Sequence, residues 1–165
     1  MSNHLRVISD LHFGHKNMAV KRGFISEREH DQHIVRTWNH HVGKKDTIYV
    51  LGDITMEKNN YEILEKLSGD IVIVGGNHDR FQHSKQLMKH VKGISGCIQK
   101  KGCIFTHIPI HESQFERYLF NIHGHVHTNS LENTKYINVS AEVVNYIPQI
   151  VNELINNQRK INKID

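Results

Sequence analysis

Cysteine and proline are both scarce in this sequence, with two of each among 165 residues. Two thiols cannot build the dense disulfide framework of a small secreted scaffold. Cys97 and Cys103 flank the segment IQKKG, which reads as a hairpin turn, and both are expected to stay free. The shortage of proline, with 38% hydrophobic and 23% charged residues, excludes a fibrous or disordered chain. No apolar run approaches the length of a membrane span. The opening MSNHLRVISD passes straight into a strand-like run without the basic and apolar regions of a signal peptide. A cytoplasmic protein with no membrane partner is the expectation. Repeats, low-complexity tracts and linkers are also missing, so the expectation is one domain over residues 1–165, large enough to bury a core without disulfides.

What the chain has in plenty is basic charge and histidine. A formal charge of +4 and a pI near 9.1 permit acidic partners. Yet the lysines fall in scattered pairs such as Lys44-Lys45 and Lys100-Lys101, which suit a solvated surface better than a nucleic-acid groove. Nucleic acid is a permitted partner but not an indicated one.

Short apolar, β-branched runs recur at residues 5–9, 47–51, 71–74, 103–107, 120–124 and 136–140. Several are apolar at successive positions, as in sheets covered on both faces. Between the first two, Ser26 and Glu29 form a capping box, after which Ile34, Val35, Trp38 and Val42 fall on one helical stripe. Helices are also expected at YEILEKL, at SKQLMKHV and at PQIVNELINNQ, where Pro148 suits the first helical position. Strands alternating with helices early, and a run of strands later, predict an α/β sandwich.

Acidic, amide and imidazole groups collect at the downstream ends of these strands, where α/β sheets form binding crevices. Asp10 and His12 are two apart in ISDLHFGH, so an extended chain would point both the same way. Asp53 follows YVLG; Asn77, His78 and Asp79 follow IVIVGG; His107 ends IFTH; His125 and His127 close FNIHGHVH. Taken singly, Asp10 reads as a turn cap, Asp53 and Asn77 as turn residues, and His107 as structural. Taken together they recur at the same kind of place, and Asp10, His12, Asp53, Asn77, His107, His125 and His127 would furnish two ions with one shared carboxylate. Such mixed nitrogen and oxygen donors suit Mn, Fe, Co, Ni or Zn better than Mg or Ca, and without cysteine a structural zinc is disfavoured.

In this order the blocks Asp10-x-His12, Gly52-Asp53, Gly76-Asn77-His78-Asp79, His107 and Gly124-His125-x-His127 resemble the signature of the calcineurin-like metallophosphoesterases. The compact length is similar to the minimal bacterial and bacteriophage members. The resemblance implies a four-layer α/β sandwich of two mixed β-sheets flanked by helices. It implies two divalent transition-metal ions, manganese foremost, with Asp10, His12 and His127 on the first, Asn77, His107 and His125 on the second, and Asp53 bridging. It further implies attack by a hydroxide shared between the ions, with His78 near the phosphoryl group as a catalytic residue and Asp79 orienting it.

Beyond those blocks, His15, Asn17, Arg80 and His111 could reach a substrate phosphate or could be plain surface, and His123 is expected to support rather than ligate. Asn77, His78, His15 and Arg80 are the expected substrate contacts. Nothing between the blocks is long enough for a cap, so short loops around 13–25, 54–60, 109–119 and 128–134 should rim an open site. The expected substrate is a small phosphodiester or nucleotide, cyclic ones included. The alternatives are a phosphomonoesterase or nuclease-type activity, or a non-catalytic metal-binding scaffold, which the complete ligand set disfavours.

Overall fold

The computed structural model describes residues 3–55 and 60–164. Two mixed β-sheets carry the chain. In the first, β1 (Leu5–Ile8), β2 (Thr47–Leu51), β3 (Asp70–Val74) and β4 (Gly93–Ser95) run parallel, and β9 (Gln149–Ile150) is antiparallel to β1, giving the order β4-β3-β2-β1-β9. In the second, β5 (Ile98–Lys100), β6 (Cys103–Phe105), β7 (Asn121–His123) and β8 (Tyr136–Asn138) lie in sequence order, with only the β5–β6 pair antiparallel. The IQKKG segment makes the expected hairpin, turning at Lys101 and Gly102, both with left-handed backbone. Cys103 is buried and Cys97 exposed, and both are free.

Side-chain alternation along the first sheet builds two cores. Ile8, Ile48, Val50, Ile71 and Ile73 face one way and pack with Ile34, Trp38 and Val42 of α2 (Glu27–His41). Val7, Tyr49, Leu51 and Val74 face the other way, meeting Phe105, Ile122 and Val139 from the second sheet and Val151 and Ile155 of a long C-terminal helix, Val151–Asn162. Both faces of the sheet are therefore covered, as the near-continuous apolar strands predict. The outer face of the second sheet carries a thin cover, the segment around the 3-10 turn Glu112–Gln114. There Phe115 packs edge-on against Tyr136, and the Asn121 amide oxygen accepts from the Ile110 N–H at 3.0 Å.

Helix α2 starts as read from the sequence: Ser26 Oγ accepts from the Glu29 N–H at 3.2 Å. The Glu29 carboxylate reaches back to the Ile25 N–H at 2.7 Å. Three expected helices change. YEILEKL lies in a 3-10 helix, Asn60–Lys66, and SKQLMKHV winds into α-helix only over Ser84–Leu87. Pro148 does not open the C-terminal helix, because Gln149 and Ile150 pair with Val7 and Arg6 first and the helix begins at Val151. A short helix that the apolar pattern did not suggest, α1 (Lys16–Lys21), follows β1 and buries Ala19. Among the described residues no helix is long and apolar enough to cross a membrane. Of the expected rim loop 54–60, residues 56–59 lie outside the described residues.

Candidate metal centre

The parallel strands end on one side, and the loops leaving them stay hydrogen-bonded to each other. Asp10 N donates to Gly52 O at 3.2 Å, His12 N to Asp53 O at 2.9 Å and Phe13 N to Ile54 O at 2.8 Å. This lateral pairing sends Leu11 and Phe13 into the core and turns Asp10, His12 and Asp53 toward a common space. The chain there is not extended, contrary to the simple alternation argument. Asp10, His12, Asp53, His125 and His127 have φ of 59°, 50°, 52°, 68° and 53°, the left-handed region that L residues rarely adopt. Such backbone persists only where the surroundings over-determine it, and it gathers at functional sites.

Glycine permits the crowding behind these residues. A Cβ on Gly52, at φ 81°, would stand 2.5 Å from Gly76 Cα and 2.7 Å from His107 Nδ1. A Cβ on Gly124 would overlap Ser9 Oγ and Asp10 Oδ2. Gly124 is thus required for close approach, while the left-handed turns beside it fall at His125 and His127.

The ligand candidates fall into two clusters. Asp10, His12 and His127 each present one donor atom within 4.8 Å of the others, and so do Asp53, His107 and His125. In the first cluster, Asp10 Oδ2 accepts from His125 N at 2.9 Å and Ser140 Oγ at 3.1 Å, while Oδ1 has no hydrogen-bond partner among the described residues. His12 Nε2, 3.9 Å from that oxygen, has none either. Burial, then the charges of Arg22 and neighbouring histidines, push His12 down to about 2, so its ring is neutral. A buried carboxylate oxygen and a buried imidazole nitrogen facing each other without protein partners form a donor set for a divalent cation. His127 Nε2 faces the same oxygen at 4.0 Å, and its Nδ1 lies 2.8 Å from Glu142 Oε1. That hydrogen bond raises His127 above its ordinary value against the effect of burial.

In the second cluster, His107 Nδ1 donates to the Leu51 carbonyl at 2.7 Å, which turns Nε2 toward the other donors. Around Nε2 stand Asn77 Oδ1 at 2.8 Å, His125 Nδ1 at 3.2 Å and Asp53 Oδ2 at 3.5 Å. An imidazole nitrogen, an amide oxygen and a carboxylate oxygen so gathered are donor atoms that a divalent cation would satisfy together. Asp53 Oδ2 is also 3.6 Å from His12 Nε2, so one oxygen looks into both clusters. Burial raises the Asp53 carboxyl above its usual range, opposed by His107.

His78 is 43% exposed in its side chain, with Nε2 3.9 Å from Asp53 Oδ2, and its backbone N–H donates to Asp53 Oδ1 at 3.0 Å. His15 stands edge-on to His12 with ring centroids 5.6 Å apart, on the rim. Asp79 takes a different place from the one the motif suggested. Its carboxylate accepts from the backbone of Asp53, Ile54 and Gly76, at 2.9, 3.1 and 2.9 Å, fixing the loop that carries Asp53 rather than the His78 ring. Arg80 is exposed and lines a small crevice with Tyr61, Ser84 and Leu87. His111 accepts from Ser113 N at 3.2 Å as a turn cap. His123 is buried against Tyr136, with Nδ1 2.9 Å from Gly124 O.

Sequence reasoning missed Arg22, Ser140 and Glu142, which touch Asp10 and His127. Ser140 and Glu142 follow β8, so the downstream-end rule that found Asp10 and Asp53 would have found them had it been applied to that strand. Arg22 leaves no such signal.

Residues 4–163 match the calcineurin-like phosphoesterase family, and the chain belongs to it. With that family and two candidate metal-binding clusters, it is a metal-dependent phosphoric ester hydrolase. It is similar to the uncharacterized protein MJ1445 of Methanocaldococcus jannaschii, 34% identical over 86% of this chain and 84% of that protein. A shorter match, 35% identical over 44% of this chain, covers 38% of the Gene 66 protein of Mycobacterium phage D29. Among solved structures, the protein of unknown function AQ665 from Aquifex aeolicus superposes with a TM-score of 0.75 at 26% identity, over 94% of this chain and all of that one.

Proposed function

We propose that this chain hydrolyses a small phosphodiester or nucleotide at a binuclear centre, with Asp10, His12 and His127 holding one divalent ion, Asn77, His107 and His125 the other, and Asp53 bridging. The observation that carries the reading is the Asp53 oxygen 3.6 Å from His12 Nε2 and 3.5 Å from His107 Nε2. The donor set of imidazole, carboxylate and amide oxygen suits manganese or a neighbouring transition ion. Ions bound there supply the charge that acidifies the attacking water and neutralises the phosphoryl oxygens.

The protein's own groups do the rest. His12 is neutral and presents a lone pair; His107 is oriented by its bond to Leu51 O. His15, edge-on to His12, would meet the phosphate. Asn77 and His78 are exposed, and so is the segment 128–132, which leaves room for the second ester arm that a diester has and a monoester lacks.

The test compares manganese-loaded protein on an aryl phosphodiester and on the matching aryl monoester, with Asp53→Asn as control. Faster turnover of the diester, lost in the variant, is the expected result. Turnover of neither ester would defeat the proposal, and preference for the monoester would defeat the diester assignment.

A further inference from the structure

Arg22 belongs to none of the motifs, yet its guanidinium is buried against the loop that carries Asp10, with only 3% of the side chain exposed. It leaves the chain at the end of α1. Nη2 donates to the Asp10 carbonyl at 2.7 Å and to Glu142 Oε2 at 2.7 Å. Nη1 reaches the Leu11 carbonyl at 3.3 Å and His30 Nε2 at 2.9 Å. The ring of Tyr146, itself at a left-handed φ of 60°, lies 5.7 Å from the guanidinium carbon. The other Glu142 oxygen is 2.8 Å from His127 Nδ1. One guanidinium is therefore bonded directly to the backbone of Asp10 and, through one carboxylate, to the ring of His127.

Both of those residues belong to the first cluster. In the second, the comparable imidazole nitrogen, His107 Nδ1, is held by a neutral backbone carbonyl. A backbone oxygen fixes a ring's tautomer and orientation. A carboxylate does so and also raises the basicity of the far nitrogen. The carboxylate must in turn be kept aimed, and the fixed fork of a guanidinium that bonds Glu142 Oε2 and two backbone carbonyls at once does this with less loss of side-chain freedom than a lysine would.

We propose that Arg22 and Glu142 are positioning residues for the first metal alone: Glu142 sets the tautomer and aim of His127, and Arg22 locks Glu142 and the left-handed turn at Asp10 as one unit. The proposal rests on the two-ion reading above. It makes the two ions unequal, the first depending on an ion pair in which neither partner touches metal.

Chelator-stripped protein titrated with Mn²⁺ alone tests this, with binding followed by calorimetry, stoichiometry by elemental analysis, and paired against isolated ions distinguished by electron paramagnetic resonance. Wild-type protein should bind two ions. Glu142→Gln and Arg22→Lys should keep one event at wild-type affinity and weaken the other by about 10- to 100-fold, converting the paired spectrum to that of an isolated ion at limiting metal. In a His107→Ala background, the single remaining event should be the one that weakens. Glu142→Gln is nearly isosteric and keeps an acceptor for His127, so it carries the test even where Glu142→Ala fails to fold; apo melting curves check each variant. Both events unchanged, or both weakened equally, overturns the positioning role. Wild-type protein binding fewer than two ions overturns the two-ion reading instead.

Discussion

Strand β2 has a buried aspartate at each end, and the two are built on opposite principles. Asp46, just upstream, is 2% exposed and fully partnered: its carboxylate accepts from His4 N at 2.9 Å, Gly43 N at 3.1 Å and Arg6 Nε at 2.7 Å. Burial alone would raise its carboxyl, but these hydrogen bonds and the guanidinium charge hold it below the usual range. Asp53, just downstream, is equally buried but sits on a left-handed backbone among imidazoles, and burial raises its carboxyl. Asp46 stabilises the fold. Asp53 is held with far less compensation and faces both candidate metal clusters, and the contrast separates a carboxylate that fastens the fold from one offered to the site.

The sharpest break of that contrast is Asp53→Asn. Loss of the shared charge should cut kcat by about a thousandfold, with manganese no longer bound as a pair, while the apo variant melts at or above the wild-type temperature because a desolvated carboxylate is gone. A lower apo melting temperature would show that Asp53 is a structural residue like Asp46. His78→Ala should lower kcat by about a hundredfold or more with both ions still bound; elemental analysis that finds an ion missing would make it a ligand. Asp46→Asn should do the reverse of the first variant, costing about 2 kcal/mol in denaturant unfolding, since Arg6 is left facing an amide, with manganese affinity unchanged.

The smallest effect is the pH response of the apo protein. A carboxyl lower in the folded than in the unfolded state adds stability above the unfolded value that is lost as pH falls through the folded one. Asp46 should therefore make wild-type protein lose more stability than Asp46→Asn under acid. Asp53, raised, contributes with the opposite sign, so the apo Asp53→Asn variant should lose more on acidification than wild type. Melting curves at stepped acidic pH read both slopes, and parallel curves for all three proteins would erase the distinction.

Strands β1, β2, β3, β6, β7 and β8 and the ligand candidates were legible in sequence because each rests on a local signal, an apolar, β-branched run with a carboxylate, amide or imidazole at or near its end, whereas the three-residue β4 carries no such run. What was illegible depends on partners far along the chain. That Asp79 serves the backbone of Asp53 rather than the His78 ring follows from how the two loops stack. The short strand Gln149–Ile150 displaces the start of a helix only because β1 offers it an open edge. Glu142 and Arg22 meet across residues 22 to 142, a pairing with no periodicity to announce it.

Each cluster draws one member or more from either sheet: Asp10 and His12 with His127, Asp53 with His107 and His125. An ion seated in either is accordingly a cross-link between the sheets, closing a loop from residue 10 to 127 or from 53 to 125. Cross-links that close long loops remove the most entropy from the unfolded chain. His125 and His127 lie beyond β7, so among the described residues a fragment ending before that strand lacks a member of each cluster.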